Sequence, residues 1–91
     1  MASYELVFKQ SVAKDLRRIP KRDVTRILKR IQALAKNPRP PDCEKLSRQE
    51  RYRIRQGVYR IIYLIADQKL CVTVVKIGHR RKVYKRFAPS A

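Results

Sequence analysis

Residues 51–86 combine the most strand-like runs of the chain with a dense positive charge. They read RYRIRQGVYRIIYLIADQKLCVTVVKIGHRRKVYKR and contain eleven basic residues and one acid, Asp67. β-Branched and aromatic residues at this density predict strands, yet a segment that folds as a buried sheet normally carries few charges. Arginines inside the strands therefore indicate a rigid scaffold that directs cations at a polyanion.

Length and charge limit the class of protein. A chain of 91 residues can bury one core, so we expect one domain over residues 1–91. An apolar content of 44% is that of a globular protein rather than a disordered basic tail. The net charge of +17 favours a nucleic acid or an acidic protein as partner.

The sequence also argues against secretion and membrane insertion. No segment is apolar enough to span a bilayer, and MASYELVF lacks the pattern of a signal peptide. Cys43 and Cys71 do not form a disulfide framework. We therefore expect a cytoplasmic protein with reduced thiols and no membrane partner.

The first half of the chain predicts one strand and two helices. SYELVF at residues 3–8 is typical of a strand. Apolar residues recur at helical spacing from Phe8 to Ile19 and from Val24 to Ala35, with Pro20 between them. Asn37-Pro38 ends the second helix, because proline cannot continue it.

The second half predicts three more strands. After a proline-rich connector they lie at about 51–55, 58–65 and 70–77, and a basic tail follows at 78–87. Short links between them indicate an antiparallel meander. The expected fold is α+β: a small antiparallel β-sheet with two N-terminal helices packed on one face, in the order β-α-α-β-β-β.

Glycine 57 predicts the register of the first hairpin. A two-residue loop at Gln56-Gly57 sets Arg53 opposite Arg60 and Arg55 opposite Val58. One face of the sheet is then uncharged and belongs under the helices; it carries Tyr52, Ile54, Tyr59, Ile61, Tyr63 and Ile65. The opposite face carries the strand arginines.

A like-charge cross-strand pair such as Arg53 and Arg60 costs roughly 0.2–1 kcal/mol. One interpretation is a solvated face in a protein that is basic throughout. The other is a phosphate-binding groove, which the use of arginine favours because guanidinium groups bind phosphate through two parallel hydrogen bonds.

Two strings of the chain resemble a known family. YRIRQGVYRIIYLI, followed by VTVVKIGHRRKVYKR, is similar to the RelE toxins of bacterial toxin–antitoxin systems, within the RelE/ParE superfamily. The resemblance extends over about residues 3–86. It implies the same α+β fold and a metal-independent endoribonuclease without cofactors, which cuts messenger RNA in the ribosomal A site and has a RelB-like antitoxin as partner.

The resemblance also implies roles for individual residues. In the RelE nucleases, Arg60 matches an arginine that stabilises the transition state. Arg80 matches an arginine near the leaving group, and Tyr84 matches the proposed general base. Arg53 and Arg55 stand where relatives carry basic residues, often lysines. Arginine keeps the charge but not a titratable amine, which favours an electrostatic role in phosphate binding together with Arg81. A packed aromatic is the alternative interpretation of Tyr84.

Two further features have open interpretations. His79 is either a solvated or structural group, or an acid or base beside Arg80, since its titration range suits proton transfer. The basic face of the second helix is either a solvated stripe or a contact to ribosomal RNA backbone. This face carries Arg22, Arg26, Lys29 and Arg30.

The acids of the chain are scattered, so no metal site is expected. The alternative to a nuclease is a catalytically inert module of the same fold. This is either a ParE-like toxin that poisons DNA gyrase or a plain RNA-binding protein. The joint presence of Arg60, Arg80 and Tyr84 favours the nuclease.

Overall fold

The computed structural model describes residues 3–46 and 51–79. Its elements follow the expected order, with one short strand added to the connector. They are β1 (Glu5–Phe8), α1 (Gln10–Arg17), α2 (Lys21–Leu34), β2 (Glu44–Lys45), β3 (Arg51–Gln56), β4 (Tyr59–Ala66) and β5 (Cys71–His79). The β-α-α-β-β-β prediction is confirmed.

The five strands form one sheet in the order β1-β5-β4-β3-β2. Strands β3, β4 and β5 make the expected antiparallel meander. Strand β1, however, pairs in parallel with β5, from Glu5 opposite Cys71 to Phe8 opposite Val74. The sheet is therefore mixed rather than wholly antiparallel. The intervening helices allow this, because a parallel partner needs a long crossover rather than a tight turn.

The core lies between the helices and one face of the sheet. The apolar stripes of α1 and α2 pack with the inward residues of β3, β4 and β5 in one cluster. Tyr52, Ile54, Ile61, Tyr63 and Ile65 are buried there, and Tyr59 is partly buried against them. This agrees with the uncharged face predicted from alternation. The helices therefore leave the other face of the sheet for the arginines.

The β3–β4 loop corrects the predicted register. Gly57 and Val58 form the loop, and Gly57 has a φ of +61°, a left-handed value that glycine adopts without strain. Arg55 lies opposite Arg60, and Arg53 lies opposite Ile62. The predicted loop was wrong by one residue. The cross-strand partner of each residue therefore differs from the prediction. Each side chain still lies on the predicted face of the sheet, because the register differs by two positions.

An irregularity in β5 decides which way its end points. Ile62 pairs with Lys76 while Tyr63 pairs with Val74, so Val75 is an extra residue, as in a β-bulge. Beyond the bulge, Ile77 returns to the core opposite Ile61. The alternation of the last residues of β5 is thereby reversed relative to its start.

Polar contacts hold the connector after α2 in place. Arg39 donates to both carboxylate oxygens of Asp67 at 3.0 and 2.8 Å, and the Tyr4 hydroxyl donates to the same group at 2.7 Å. These hydrogen bonds, led by that of Arg39, lower the pKa of Asp67 to about 2. Tyr63 donates to the carbonyl of Pro38 at 2.7 Å, and burial raises the pKa of this phenol.

Candidate functional site

The face of the sheet away from the helices carries an arginine pair, Arg55 and Arg60. The two residues are direct cross-strand partners in β3 and β4, and Arg60 has Gly78 as its partner on β5. Arg55 is exposed and Arg60 is half-buried. Directly opposed residues have Cα atoms about 4.5–5.5 Å apart. The hairpin therefore concentrates two positive charges at one end of the sheet.

Arg53 is held by an acid. It forms an ion pair with Glu44 of β2, its cross-strand neighbour. The Arg53 side chain is only 14% exposed, whereas that of Glu44 is 52% exposed. The sheet thus brings Arg53 to the same face as the arginine pair but commits its guanidinium group to a carboxylate. An approaching phosphate meets Arg55 more directly than Arg53.

An apolar patch lies beside the arginines on this face. Ile62 and Val75 are buried, and Leu46 and Leu64 pack against them. The face is therefore divided into a cationic end near the hairpin and an apolar part farther along the strands.

His79 lies on the other side of the sheet from Arg60. It pairs across from Tyr59, and the two rings meet edge to face with centroids 6.2 Å apart. Tyr59 packs against the core under the helices. The β5 residue opposite Arg60 is Gly78, the residue before His79. The structure does not bring His79 together with Arg60.

Arg80, Arg81 and Tyr84 lie outside the described residues. The described part of β5 ends at His79, one residue past the partner of Arg60. Gly78 is the β5 partner of Arg60, and Arg80 comes two positions after Gly78 in the sequence. Their roles remain predictions.

The basic face of α2 lies beside β3. Arg22, Arg26 and Lys29 are exposed, and Arg30 forms an ion pair with Asp42. A groove of about 360 Å³ separates this part of α2 from the hairpin; its lining is Arg26, Lys29, Arg30, Ala33 and Gln56.

Asp42 links this helix face to the arginine pair. The hydrogen bond from Arg30 is the main cause that lowers the pKa of Asp42, and Arg55 adds a smaller electrostatic contribution. The cationic surface therefore continues from α2 around the edge of the sheet to Arg55.

Sequence reasoning did not find the role of Asp15. Its carboxylate accepts from the Lys76 ammonium at 2.7 Å and from the Ile77 backbone N–H at 3.1 Å. Both side chains are largely buried, at 10% and 18% exposure. An available signal was that Asp15 is the one acid of α1, among Lys14, Arg17 and Arg18. This acid joins α1 to β5 just past the bulge.

Two findings on metal binding and membrane insertion concern residues 3–46 and 51–79. In these ranges, no three or more His, Cys, Asp or Glu side chains form a group able to hold a metal ion. None of the helices there has the length and apolar character needed to cross a membrane.

The sequence matches a known family over most of its length. A family model described as the ParE toxin of type II toxin–antitoxin systems matches residues 6–84. A curated Escherichia coli protein, described as a putative RelE-like toxin protein, is 24% identical over 81 residues, which are 87% of this chain and 85% of that protein.

Solved structures share the fold. The RelE–RelB complex from Pyrococcus horikoshii OT3 contains a chain that superposes with a TM-score of 0.78 at 28% identity, over 86% of this chain and 96% of that chain. The isolated E. coli RelE toxin gives a TM-score of 0.76 at 24% identity, over 92% of this chain and 94% of that chain. The second likeness concerns the fold alone.

Proposed function

This chain belongs to the ParE toxin family of type II toxin–antitoxin systems, within the RelE/ParE superfamily, and from that premise we propose that it is a metal-independent endoribonuclease. Its substrate is messenger RNA, cut in the ribosomal A site. The observation that carries the proposal is the arginine pair, Arg55 and Arg60, on the face of the sheet that the helices leave uncovered.

The chemistry needs charge stabilisation more than a metal. The RNA 2′-oxygen attacks the adjacent phosphorus, a 2′-O–P bond forms, and the P–O5′ bond breaks. One proton leaves the 2′-hydroxyl and one reaches the departing 5′-oxygen. The products are a 2′,3′-cyclic phosphate and a 5′-hydroxyl. Cations held in advance around the phosphorane-like transition state supply a large share of such catalysis.

Four residues have proposed roles in this reaction. Arg60 stabilises the charge that develops on the phosphate, and Arg55 binds an adjacent phosphate. Arg80 assists the departing oxygen, and Tyr84 accepts the 2′-hydroxyl proton. Phenol has an ordinary pKa near 10, so this role requires neighbouring cations that favour the phenolate.

Arg53 and Arg81 complete the phosphate-binding set of the proposal. The Glu44 carboxylate orients Arg53, and a substrate phosphate has to compete with this carboxylate. Arg53 therefore acts chiefly by positioning and by its long-range charge, whereas Arg55 makes the direct contact.

The proposed partners are ribosomal RNA and an antitoxin. The exposed basic residues of α2 suit contacts to RNA backbone, which position a protein without reading sequence. Toxins of this fold have been solved in complexes with RelB antitoxins, for example from P. horikoshii. A cognate RelB-like antitoxin of this chain is acidic, because it has to neutralise part of a net charge of +17.

Primer extension on messenger RNA from cells that express the chain tests the proposal. We expect discrete cuts within translated codons. Arg60→Ala abolishes them while the protein stays folded, and Lys69→Ala, which removes an exposed charge in the β4–β5 turn, leaves them unchanged. Full cleavage by a folded Arg60→Ala variant refutes the role of the arginine pair.

The second candidate function is the poisoning of DNA gyrase. The description of the matching family as ParE favours it. The same expression experiment separates the two functions, since intact messages accompanied by double-strand DNA breaks support gyrase poisoning.

A further inference from the structure

A second pocket opens on the helix side of the sheet, at the end of β5. It has a volume of about 230 Å³. Its walls come from the end of α1, the start of β4 and the last residues of β5: Asp15, Arg18, Ile19, Tyr59, Lys76, Ile77, Gly78 and His79. None of the proposed catalytic roles uses this pocket.

We propose that this β5-end pocket receives one nucleotide of a single-stranded RNA, on the opposite face of the sheet from the phosphate that lies on Arg60. The inference rests on the proposed function and names a subsite for the same substrate. Pockets for drug-sized ligands usually measure about 300–1,000 Å³. A volume of about 230 Å³ therefore suits a smaller group, such as a base with its sugar.

The rings of Tyr59 and His79 provide an aromatic wall. Both residues line the pocket, and their rings contact each other edge to face at an interplanar angle of 80°. Proteins bind unpaired bases by stacking them on Tyr, His and other aromatic side chains, with little dependence on the base. The wall therefore gives affinity for a base without fixing its identity.

The charges of the pocket favour an anion. The Asp15 carboxylate is already neutralised by Lys76 at 2.7 Å and is only 10% exposed. Arg18 is exposed, and no ion pair within the described ranges involves it. A guanidinium group in this setting binds phosphate oxygens through parallel hydrogen bonds. The ionisable side chains that line the pocket thus carry a net positive formal charge, since Arg18 and Lys76 outnumber Asp15.

Gly78 joins the pocket to the arginine pair. It lines the pocket and is also the cross-strand partner of Arg60. Strand β1 pairs with β5 only as far as Val74. Beyond that point, the Asp15 carboxylate accepts a hydrogen bond from the Ile77 N–H. The pocket and the arginine pair therefore lie on opposite faces of the sheet at the same cross-strand position, and an RNA that reaches both has to pass an edge of the sheet.

Binding of an uncleavable RNA tests this subsite. The probe is a fluorescent 2′-O-methyl RNA of about six nucleotides, within the usual range of single-strand site sizes; its 2′-oxygen cannot attack. Fluorescence anisotropy gives the dissociation constant. We expect Arg18→Glu and His79→Ala each to raise it about tenfold, the size of one lost base or phosphate contact.

Arg17→Glu is the matched control. It makes the same charge change at the neighbouring exposed residue, but Arg17 lines a different groove, between α1 and α2. We expect no more than about a twofold effect, because salt screens charges that do not touch the ligand. Equal losses for Arg17→Glu and Arg18→Glu, or no loss for His79→Ala, overturn the subsite.

Amide NMR shifts locate the RNA directly. Shifts at Ile77, Gly78 and His79 on titration with the same probe support the proposal, whereas shifts confined to other elements contradict it. The outcome is separable from that of the proposed function. If the protein cuts RNA but Arg17→Glu and Arg18→Glu change the dissociation constant equally, only the subsite proposal is rejected. If the binding data support the subsite but the protein does not cut RNA, only the proposed nuclease function is rejected.

Discussion

Arg55 and Arg60 lie directly opposite each other across the β3–β4 hairpin. Two guanidinium groups therefore share one cross-strand position, where like charges repel. An anionic ligand that binds both residues relieves this repulsion. The stability of the free protein and its affinity for RNA are thus expected to change in opposite directions at this pair.

Replacement of Arg55 by threonine tests this opposition. Arg55→Thr removes the repulsion and introduces a residue that favours strands, so we expect the free energy of unfolding to rise by about 0.5 kcal/mol. RNA binding weakens at the same time. Urea unfolding and fluorescence anisotropy measure the two effects. Arg55→Lys keeps the like-charge pair, and an equal gain in stability from it contradicts the explanation.

The Asp15–Lys76 ion pair is expected to contribute strongly to stability. Asp15→Ala leaves the largely buried Lys76 ammonium and the Ile77 N–H without their acceptor. Removal of one member of such a pair costs about 3 kcal/mol, which chemical denaturation readily detects. The exposed acid Glu5 provides a control, because Glu5→Ala should change the free energy of unfolding by less than about 0.5 kcal/mol.

A double variant separates the charge from the packing. In Asp15→Leu/Lys76→Met both charges are replaced by apolar groups, so most of the stability should return. A double variant as unstable as Asp15→Ala alone shows instead that the hydrogen bond to Ile77, not the ion pair, holds α1 on β5.

Asp67 makes stability depend on acid. Hydrogen bonds from Arg39 and Tyr4 hold its pKa at about 2, below the ordinary value for aspartate. A folded-state pKa that is depressed contributes stability above the unfolded-state pKa, near pH 4, and this contribution is lost as the pH falls toward 2. The melting temperature of the wild type should exceed that of Asp67→Asn at pH 7. The two should converge between about pH 4 and pH 2, and a constant difference across this window contradicts the assignment.

Gly57 is expected to need its left-handed conformation. Its φ is +61°, and no neighbouring heavy atom lies within 4 Å of the position of an added Cβ. Gly57→Ala therefore costs backbone strain but no steric clash, about 1 kcal/mol. Equilibrium unfolding measures the loss. Val58→Ala alters the other loop residue and serves as the comparison; equal losses at both positions refute the role of the φ angle.

The sequence predicted the elements well because their patterns are local. Helical spacing identified both helices, and alternation identified the buried face of the hairpin. The loop was placed one residue early, because a glycine after Gln56 suggested glycine in the second loop position. In the structure Gly57 comes first, which is the preference of the other two-residue hairpin type. The shift by two register positions kept every side chain on its predicted side.

The placement of His79 and the pairing of β1 depended on features that no local pattern reveals. Simple alternation from Val74 puts His79 on the side of Arg60. The extra residue Val75 reverses the alternation, so His79 faces the helices. Likewise, the parallel partner of β1 is 66 residues away in sequence, and the Asp15–Lys76 contact joins residues that are 61 positions apart.

The ends of the RNA fragments test the central claim most directly. A defined messenger RNA is incubated on purified ribosomes with the protein, and the termini at each cut are identified. Attack by the 2′-hydroxyl predicts a 2′,3′-cyclic phosphate and a 5′-hydroxyl, together with loss of cutting when the nucleotide before the cut is 2′-deoxy and when Arg60 is replaced by alanine. Fragments with 3′-hydroxyl and 5′-phosphate ends, or a message that stays intact under all conditions, contradict it.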